Sequence, residues 1–209
     1  MKLIRVMTAL FVGLGLSACA MSDTATRNTP PGNELIAAPS VPALKVNRVI
    51  VDVPQSLEVS EANRYFPAGD IVWREDPLGD RHAQVKAIVE DAMTKGVAGL
   101  DGPTTVDLHI QITRFHALTQ KARYTTGGVH DVEFNMTLLH PKTGEPLAPS
   151  RFVEAGFKAY GGEAAVAAEA RGETQKVRIT EHLAQVVRTE LTDPEGFKAV
   201  RLGLLEMFN

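Results

Sequence analysis

Apolar residues alternate with polar ones in four stretches of the chain, and this two-residue period is typical of half-buried β-strands. The first stretch runs from Val46 to Pro54, and the others lie at 105–118, 132–138 and 153–159. The alternation at 105–118 shifts by one residue after Thr113, which indicates a β-bulge. The last three stretches are separated by turn residues and predict an antiparallel meander.

Three segments instead have the 3.6-residue period of amphipathic helices. Asp80 is the predicted N-cap of the first helix, and Gly96 is its predicted end. The second helix is predicted at 163–191, loosened at Gly172, and a final amphipathic helix at 197–208. The predicted buried positions are Val85, Ile88, Val89, Ala92 and Met93 in the first helix and Ile179, Leu183, Val186 and Val187 in the second.

The resulting element order is β-α-β-β-β-α(-α). It predicts an α+β fold, with an antiparallel sheet of about four strands and helices packed on one face. The other face of the sheet carries polar residues and is expected to meet water or a partner. Residues 55–80 are irregular, apart from a short extended piece at 70–74 around Trp73.

A short apolar run precedes the only cysteine of the chain. Lys2 and Arg5 form a positive amino-terminal region, and residues 8–16 form an apolar region that is too short to span a membrane. The stretch from Leu16 to Cys19 resembles the lipobox of bacterial lipoproteins. The resemblance implies that the Cys19 thiol receives a diacylglyceryl group, that the signal is cut before it, and that the new amino terminus is acylated, for example with palmitate.

The same resemblance carries an expectation about sorting. Aspartate after the lipidated cysteine tends to retain such lipoproteins at the inner membrane, whereas this chain has Ala20. We therefore expect the chain to be anchored at the periplasmic face of the outer membrane, and the inner membrane is the less favoured location. Ordinary secretory cleavage at the Ala18-Cys19-Ala20 pattern, which would release a protein without a lipid, is the alternative.

Three segments follow from these features. Residues 1–18 are the predicted signal peptide, residues 19–44 are the lipidated cysteine and a proline-containing tether, and residues 45–209 are a single α+β periplasmic domain. The composition of the tether segment is equally compatible with a disordered tail that has no required length.

Charge and cysteine content exclude some classes of partner and of stabilisation. Loss of residues 1–18 removes two of the 22 basic residues and none of the 25 acidic ones, so the mature chain carries a net charge near −5. A nucleic-acid partner would require a basic face, and none is expected. A single cysteine allows no internal disulfide, so a packed core must stabilise the domain.

Two metal hypotheses arise from the sequence, and neither has ligand spacing typical of a known site. His109 and His116 share one predicted strand but lie on either side of the bulge, without an HExxH motif. Four acidic residues around Trp73 could bind calcium, although two of them are also explained by a turn and a helix cap. They are Asp70, Glu75, Asp76 and Asp80. We predict no metal and no cofactor.

The loop after the long strand is the best candidate contact surface. Gly127 and Gly128 could cradle a phosphate, but they precede a strand, and a hairpin connection explains them better. The loop concentrates cationic and aromatic residues in an acidic protein and would suit an anionic headgroup or an acidic protein face. The candidate contact residues are Arg114, His116, Lys121, Arg123 and Tyr124.

No catalytic signature is visible: no serine lies in a GxSxG motif, and Cys19 is committed to lipid attachment. The stretches at 69–74, 114–119, 122–130 and 174–180 resemble an uncharacterised bacterial lipoprotein family of unknown function. In element order the chain is also similar to small envelope lipoproteins that assist lipid or lipopolysaccharide transport.

Three functions remain as hypotheses. The first is a membrane-anchored, non-catalytic binding or accessory subunit in envelope assembly or transport, with an envelope protein as its partner. The second is a carrier of a lipid or another apolar small ligand. The third is an enzyme whose catalytic residues converge from distant segments without a linear motif.

Overall fold

The computed structural model describes residues 43–199, in which the chain forms six strands and four helices. The lipobox, the predicted signal peptide, residues 19–42 of the predicted tether and residues 200–208 of the predicted last helix lie outside this range. In chain order the elements are β1 (Leu44–Asp52), β2 (Ile71–Val72), α1 (Arg81–Val97), β3 (Thr104–His116), α2 (Gln120–Arg123), β4 (Gly128–Leu139), β5 (Arg151–Glu154), β6 (Phe157–Ala159), α3 (Gly162–Ala170) and α4 (Gln175–Thr192).

The strands form a mixed sheet with the main order β1-β3-β4-β5. β3, β4, β5 and β6 pair antiparallel, as the meander prediction requires. β1 and β2 run parallel to β3, because α1 crosses over between β1 and β3 and returns the chain in the same direction. The predicted α+β class is confirmed, and the sheet is mostly antiparallel.

The predicted bulge is present in β3. The pairing of β3 with β4 shifts register between Ile112 and Arg114. This extra residue allows Ile112 and Phe115 both to be buried although they are three positions apart. Beyond the bulge, Arg114 pairs with Glu133 and His116 with Asp131.

Two predicted elements are interrupted, and one observed element, α2, was not predicted. The third strand of the meander breaks at 155–156 into β5 and β6, although both pieces keep one register along β4. The long helix at 163–191 is two helices, because Gly172 has a φ of 81° and Thr174 starts α4 as its N-cap. α2 lies where we predicted a hairpin connection between two strands.

The core lies between one face of the sheet and the helices α1 and α4. The predicted apolar stripes of both helices are buried, together with Leu108, Ile110 and Ile112 of β3. Asp80 is the N-cap of α1 as predicted, because its side chain accepts a hydrogen bond from Ala83 N at 3.0 Å. Within residues 43–199, no helix is both long and apolar enough to span a membrane.

Gly96 does not end α1, so that prediction is wrong. The helix continues to Val97, and Gly96 is buried at the contact between α1 and α4. A Cβ atom on Gly96 would overlap Val187 Cγ1 and would lie 2.5 Å from the carbonyl oxygen of Ala184. A glycine is required here because the two helix backbones approach closely.

We expect Gly96→Ala to destabilise the fold by about 1–3 kcal/mol, the usual cost of overpacking a core, even though alanine is the better helix former. Urea unfolding of the full chain measures the change. Thr94→Ala is the matched control, since Thr94 is exposed on the same helix and its replacement should leave the midpoint nearly unchanged. Equal midpoints for both variants would contradict the close packing of α1 on α4.

Candidate functional site

A cleft of about 480 Å³ opens where β3 and β4 diverge. The two strands stay paired up to His116 and Asp131. The chain then leaves the sheet through α2 and returns at Gly127, while the loop between β1 and β2 closes the remaining side with residues 65–67. The apolar walls are formed mainly by Tyr65, Phe66, Pro67, Ala117, Leu118, Ala122 and Val129.

Three hydrogen-bonded side chains form what we call the polar patch of the cleft: Arg114, His116 and Asp131. Arg114 Nε donates to Asp131 Oδ2 at 2.6 Å. Arg114 Nη2 lies 3.1 Å from His116 Nδ1, and His116 Nε2 lies 2.8 Å from the carbonyl oxygen of Gly69. Because a guanidinium only donates, His116 Nδ1 accepts, and His116 Nε2 carries the proton that it donates to Gly69.

The imidazole of His116 is therefore neutral. Burial lowers the pKa of His116 below its usual range, and the charge of Arg114 lowers it further, against the hydrogen bond to Gly69 and the charge of Asp131. The polar patch thus contains one guanidinium and one carboxylate that offset each other.

Aromatic residues form the mouth of the cleft. Phe66 is 79% exposed although it lines the cavity, and Tyr65 beside it is also exposed. Lys121 Nζ lies 4.7 Å from the centroid of the Tyr65 ring, and Thr125 Oγ1 donates to the Tyr65 hydroxyl at 3.4 Å. The mouth therefore combines apolar surface with a lysine ammonium.

The structure separates the five predicted contact residues into two groups. Arg114 and His116 lie in the cleft, and Lys121 lies at its mouth. Arg123 points away from the cleft and is buried in ion pairs with Glu75 and Glu169. Tyr124 lies on the same side, where its hydroxyl donates to Glu169 at 3.3 Å. Residues two positions apart on a helix point in nearly opposite directions, which explains why Lys121 and Arg123 diverge.

The cleft residues Tyr65, Phe66 and Asp131, which form its mouth and part of its polar patch, were absent from the prediction. Tyr65 and Phe66 precede Pro67 in an irregular segment, and two adjacent aromatic residues in such a segment were the available signal. Asp131 alternates with the apolar positions of β4 and looked like an ordinary polar-face residue. Only the pairing register shows that it faces His116.

The acidic residues around Trp73 accept hydrogen bonds from protein groups. Glu75 Oε2 accepts from Arg123 Nη1 at 2.8 Å and from the backbone N–H of Gln175 at 3.0 Å. Glu75 Oε1 accepts from the backbone N–H of Lys176 at 3.3 Å. This carboxylate therefore holds the N-terminus of α4, where unpaired N–H groups and the helix dipole favour a negative charge.

The neighbouring carboxylates have similar structural partners. Asp76 accepts from Trp73 Nε1 at 2.8 Å and pairs with Lys176. Burial alone would raise the pKa of Asp76, but the hydrogen bonds from Lys176 and Trp73 outweigh burial and lower it. Asp70 accepts from the backbone N–H of Glu58, and Asp80 caps α1. Among residues 43–199, no three histidine, cysteine, aspartate or glutamate side chains are grouped to hold a metal ion.

Gln175, the first residue of α4, fixes the wall of the cleft. Its side-chain oxygen accepts from the N–H of Leu118 at 3.0 Å, and its side-chain nitrogen donates to the carbonyl of Leu118 at 3.3 Å. The amide of Gln175 thus replaces the strand that would otherwise pair with Leu118. Nearby, the N–H of Gly127 donates to the carbonyl of Ala122 at 2.8 Å, so this group is engaged within the connection rather than directed at a phosphate.

His130 is fully buried behind the cleft. Its ring lies 4.9 Å from the centroid of Phe157, which in turn stacks on His182 at 4.1 Å. Neither ring nitrogen of His130 has a hydrogen-bond partner among the described residues. Burial lowers the pKa of His130 to about 3, with smaller contributions from Arg178 and Arg123.

We expect the free energy of unfolding to fall as the pH drops below about 6.5. In this range the unfolded chain protonates His130 whereas the folded chain resists protonation down to a pH of about 3. The unfolded state then binds more protons, so stability is lost with falling pH, by about 2 kcal/mol between pH 7 and pH 5 for this residue.

Urea unfolding at pH 7, 6 and 5 compares the wild type with His130→Phe. The variant should show a smaller loss of stability, and the remaining loss comes from His116 and His182, whose pKa values burial also lowers. The same dependence on pH in both chains would show that His130 is not kept neutral by the fold.

Residues 44–207 match the model of a family of unknown function, DUF6778. Among solved structures, the chain is similar to a candidate lipoprotein from Caulobacter crescentus CB15, with 15% identity over 51% of this chain and 79% of that one and a TM-score of 0.34. It is also similar to protein XCC0632 of Xanthomonas campestris, from the DUF330 family, with 15% identity over 71% of this chain and 86% of that one and a TM-score of 0.41. No curated protein matches the chain.

Proposed function

Because the chain belongs to DUF6778, a family of unknown function, we propose a role from its own residues: it is a lipid-anchored, non-catalytic binding subunit of the cell envelope. It serves an assembly or transport complex at the periplasmic face of the outer membrane. The cleft between β3 and β4 is its binding site. The single observation that carries this proposal is the cleft, an apolar cavity with one fixed polar patch.

The dimensions and the lining of the cleft support binding. Ligand sites are typically concave cavities of about 300–1,000 Å³, mostly apolar, with a few positioned polar groups. The cleft has about 480 Å³ and the polar patch. Phe66 exposes most of its side chain at the mouth, and exposed aromatic residues gain stability when a ligand or partner covers them.

The hydrogen bonds of the polar patch disfavour His116 as a general base. A general base needs a nitrogen or oxygen that can take a proton from the substrate. Both ring nitrogens of His116 are already engaged, one with Arg114 and one with Gly69. Among the described residues that line the cleft, His116 is the one histidine.

The position of the cleft in the sheet fits a partner that approaches from the side opposite the anchor. The chain enters β1 at Leu44, which pairs with Thr104 at the start of β3. The cleft lies beyond His116, at the other end of this 13-residue strand, or about 40 Å away at roughly 3.3 Å per residue. With Cys19 lipidated, the tether would join the domain at the end remote from the cleft.

A carrier of a lipid or another apolar small ligand is the second candidate function. The volume and the apolar walls of the cleft favour it, because a protein partner alone does not require a concave cavity of this size. The two candidates share the binding site and differ in its occupant.

We expect Cys19→Ala to lose the acyl mass and to be released from the outer membrane. Intact-mass measurement and membrane fractionation of cells that express the full chain test both effects. Wild-type chain treated in parallel is the control. An unchanged mass and location in the variant would contradict the lipid anchor.

We expect a photoreactive residue in the cleft to capture the occupant in cells. Phe66→p-benzoylphenylalanine should give an adduct on irradiation. Phe152→p-benzoylphenylalanine is the matched control, because Phe152 is an exposed aromatic residue of β5 that does not line the cleft. An adduct of protein mass supports the accessory subunit, and an adduct of small mass supports the carrier. Equal labelling at both positions, or none at position 66, would contradict the proposed binding site.

A further inference from the structure

We propose that the cleft binds a zwitterionic phospholipid through one acyl chain, with the phosphate at Arg114 and the ammonium at Asp131. This inference rests on the proposed function and specifies the chemistry of the occupant. Three observations carry it: the uncommitted atoms of the polar patch, its balance of charge and the apolar walls beside it.

The polar patch has one donor group and one acceptor that face no partner among the described residues. Arg114 uses Nε and Nη2 for Asp131 and His116, which leaves Nη1 uncommitted. Asp131 uses Oδ2 for Arg114, which leaves Oδ1 uncommitted. The two side chains are 34% and 41% exposed, so a ligand in the cleft can reach both.

The charges around the cleft favour a head that carries both signs. Arg114 is flanked by two carboxylates, since Asp131 bonds to it and Glu133 is its register partner on β4. Burial and the charge of Asp131 raise the pKa of Glu133, against the charge of Arg114, which lowers it. An anion alone would meet these carboxylates, and a cation alone would meet Arg114. A phosphate and an ammonium in one molecule can pair with both signs.

The walls fit a hydrocarbon chain. Tyr65 and Phe66 face the cavity from one loop, Leu118 faces it from the connection after β3, and Val129 faces it from β4. A hydrocarbon without a head would cover Arg114 and Asp131 without bonding to them, and such unpaired polar groups are costly to remove from water. The cleft therefore matches an amphiphile better than an apolar molecule.

The test compares three ligands that have the same acyl chain and different heads. They are lysophosphatidylethanolamine (zwitterionic), lysophosphatidylglycerol (anionic) and monoacylglycerol (uncharged). The protein is the full chain carrying Cys19→Ala, so that no anchor lipid competes for the cleft. Calorimetric titration below the micellar concentration should give an affinity for the zwitterion about tenfold or more above that for each of the others, since each head group charge gains a charged hydrogen-bond partner.

Arg114→Gln should remove most of this preference. Arg48→Gln is the matched control, because Arg48 Nε also donates to an aspartate, Asp107, at 2.6 Å, outside the cleft. It should keep the preference. Phe66→Ala should weaken the binding of all three ligands alike. Because Phe66 lies on an exposed loop, this variant does not depend on how the core tolerates a substitution. Equal affinity for the three heads, a preference for lysophosphatidylglycerol or no binding of any ligand would each overturn the inference.

The proposed function can survive this failure. Position-specific capture at residue 66 with no preference for the zwitterion would leave a binding subunit whose occupant is of another class.

If the preference for the zwitterion holds, vesicles of phosphatidylethanolamine and phosphatidylglycerol identify the source of the lipid. Selective uptake of phosphatidylethanolamine assigns it to the bilayer, and binding of the lysolipid alone assigns it to free lysophospholipid. Both outcomes support the inference, provided that the head preference holds.

Discussion

The carboxylate of Glu75 at the start of α4 is the interaction on which the cleft depends. It joins three segments that are far apart in the chain: the loop after β2, the end of α2 through Arg123, and the first N–H groups of α4. Gln175 is held in place by this contact and pairs with Leu118. The backbone N–H and carbonyl of Leu118 are therefore paired with Gln175 instead of β4, at the point where the two strands diverge into the cleft.

Acidic residues in this protein act mainly at helix ends and in ion pairs. Asp80 caps α1, Glu75 holds the start of α4, and Asp76 anchors both Trp73 and Lys176. The indole of Trp73 is fully buried and meets Phe115 edge-on at 6.0 Å. The acidic loop that suggested calcium is thus a structural junction, whose carboxylates accept hydrogen bonds from protein groups.

Much of the fold could be predicted from the sequence because burial repeats locally along strands and helices. The bulge near Thr113 and the cap at Asp80 are local features of this kind. Gly96 was misinterpreted because its role depends on Val187 of a second helix, nearly a hundred residues away. The parallel direction of β1 follows from the crossover of α1, which periodicity does not encode. For the same reason Arg114 and His116 were found on one strand, whereas Asp131 and Phe66 join them only through the tertiary fold.

The parallel pairing of β1 with β3 determines how the domain would bear mechanical load. Under the proposed function, a tether would pull on β1 at Leu44, and a partner held in the cleft would pull near His116, at the far end of β3. The force then runs along the strands, and the pairing of β1 with β3 from Leu44 to Asp52 is loaded in shear. All hydrogen bonds between β1 and β3 resist together, instead of opening one after another as in a strand peeled from its end. With the proposed anchor and partner in place, the domain would therefore transmit tension along its strands.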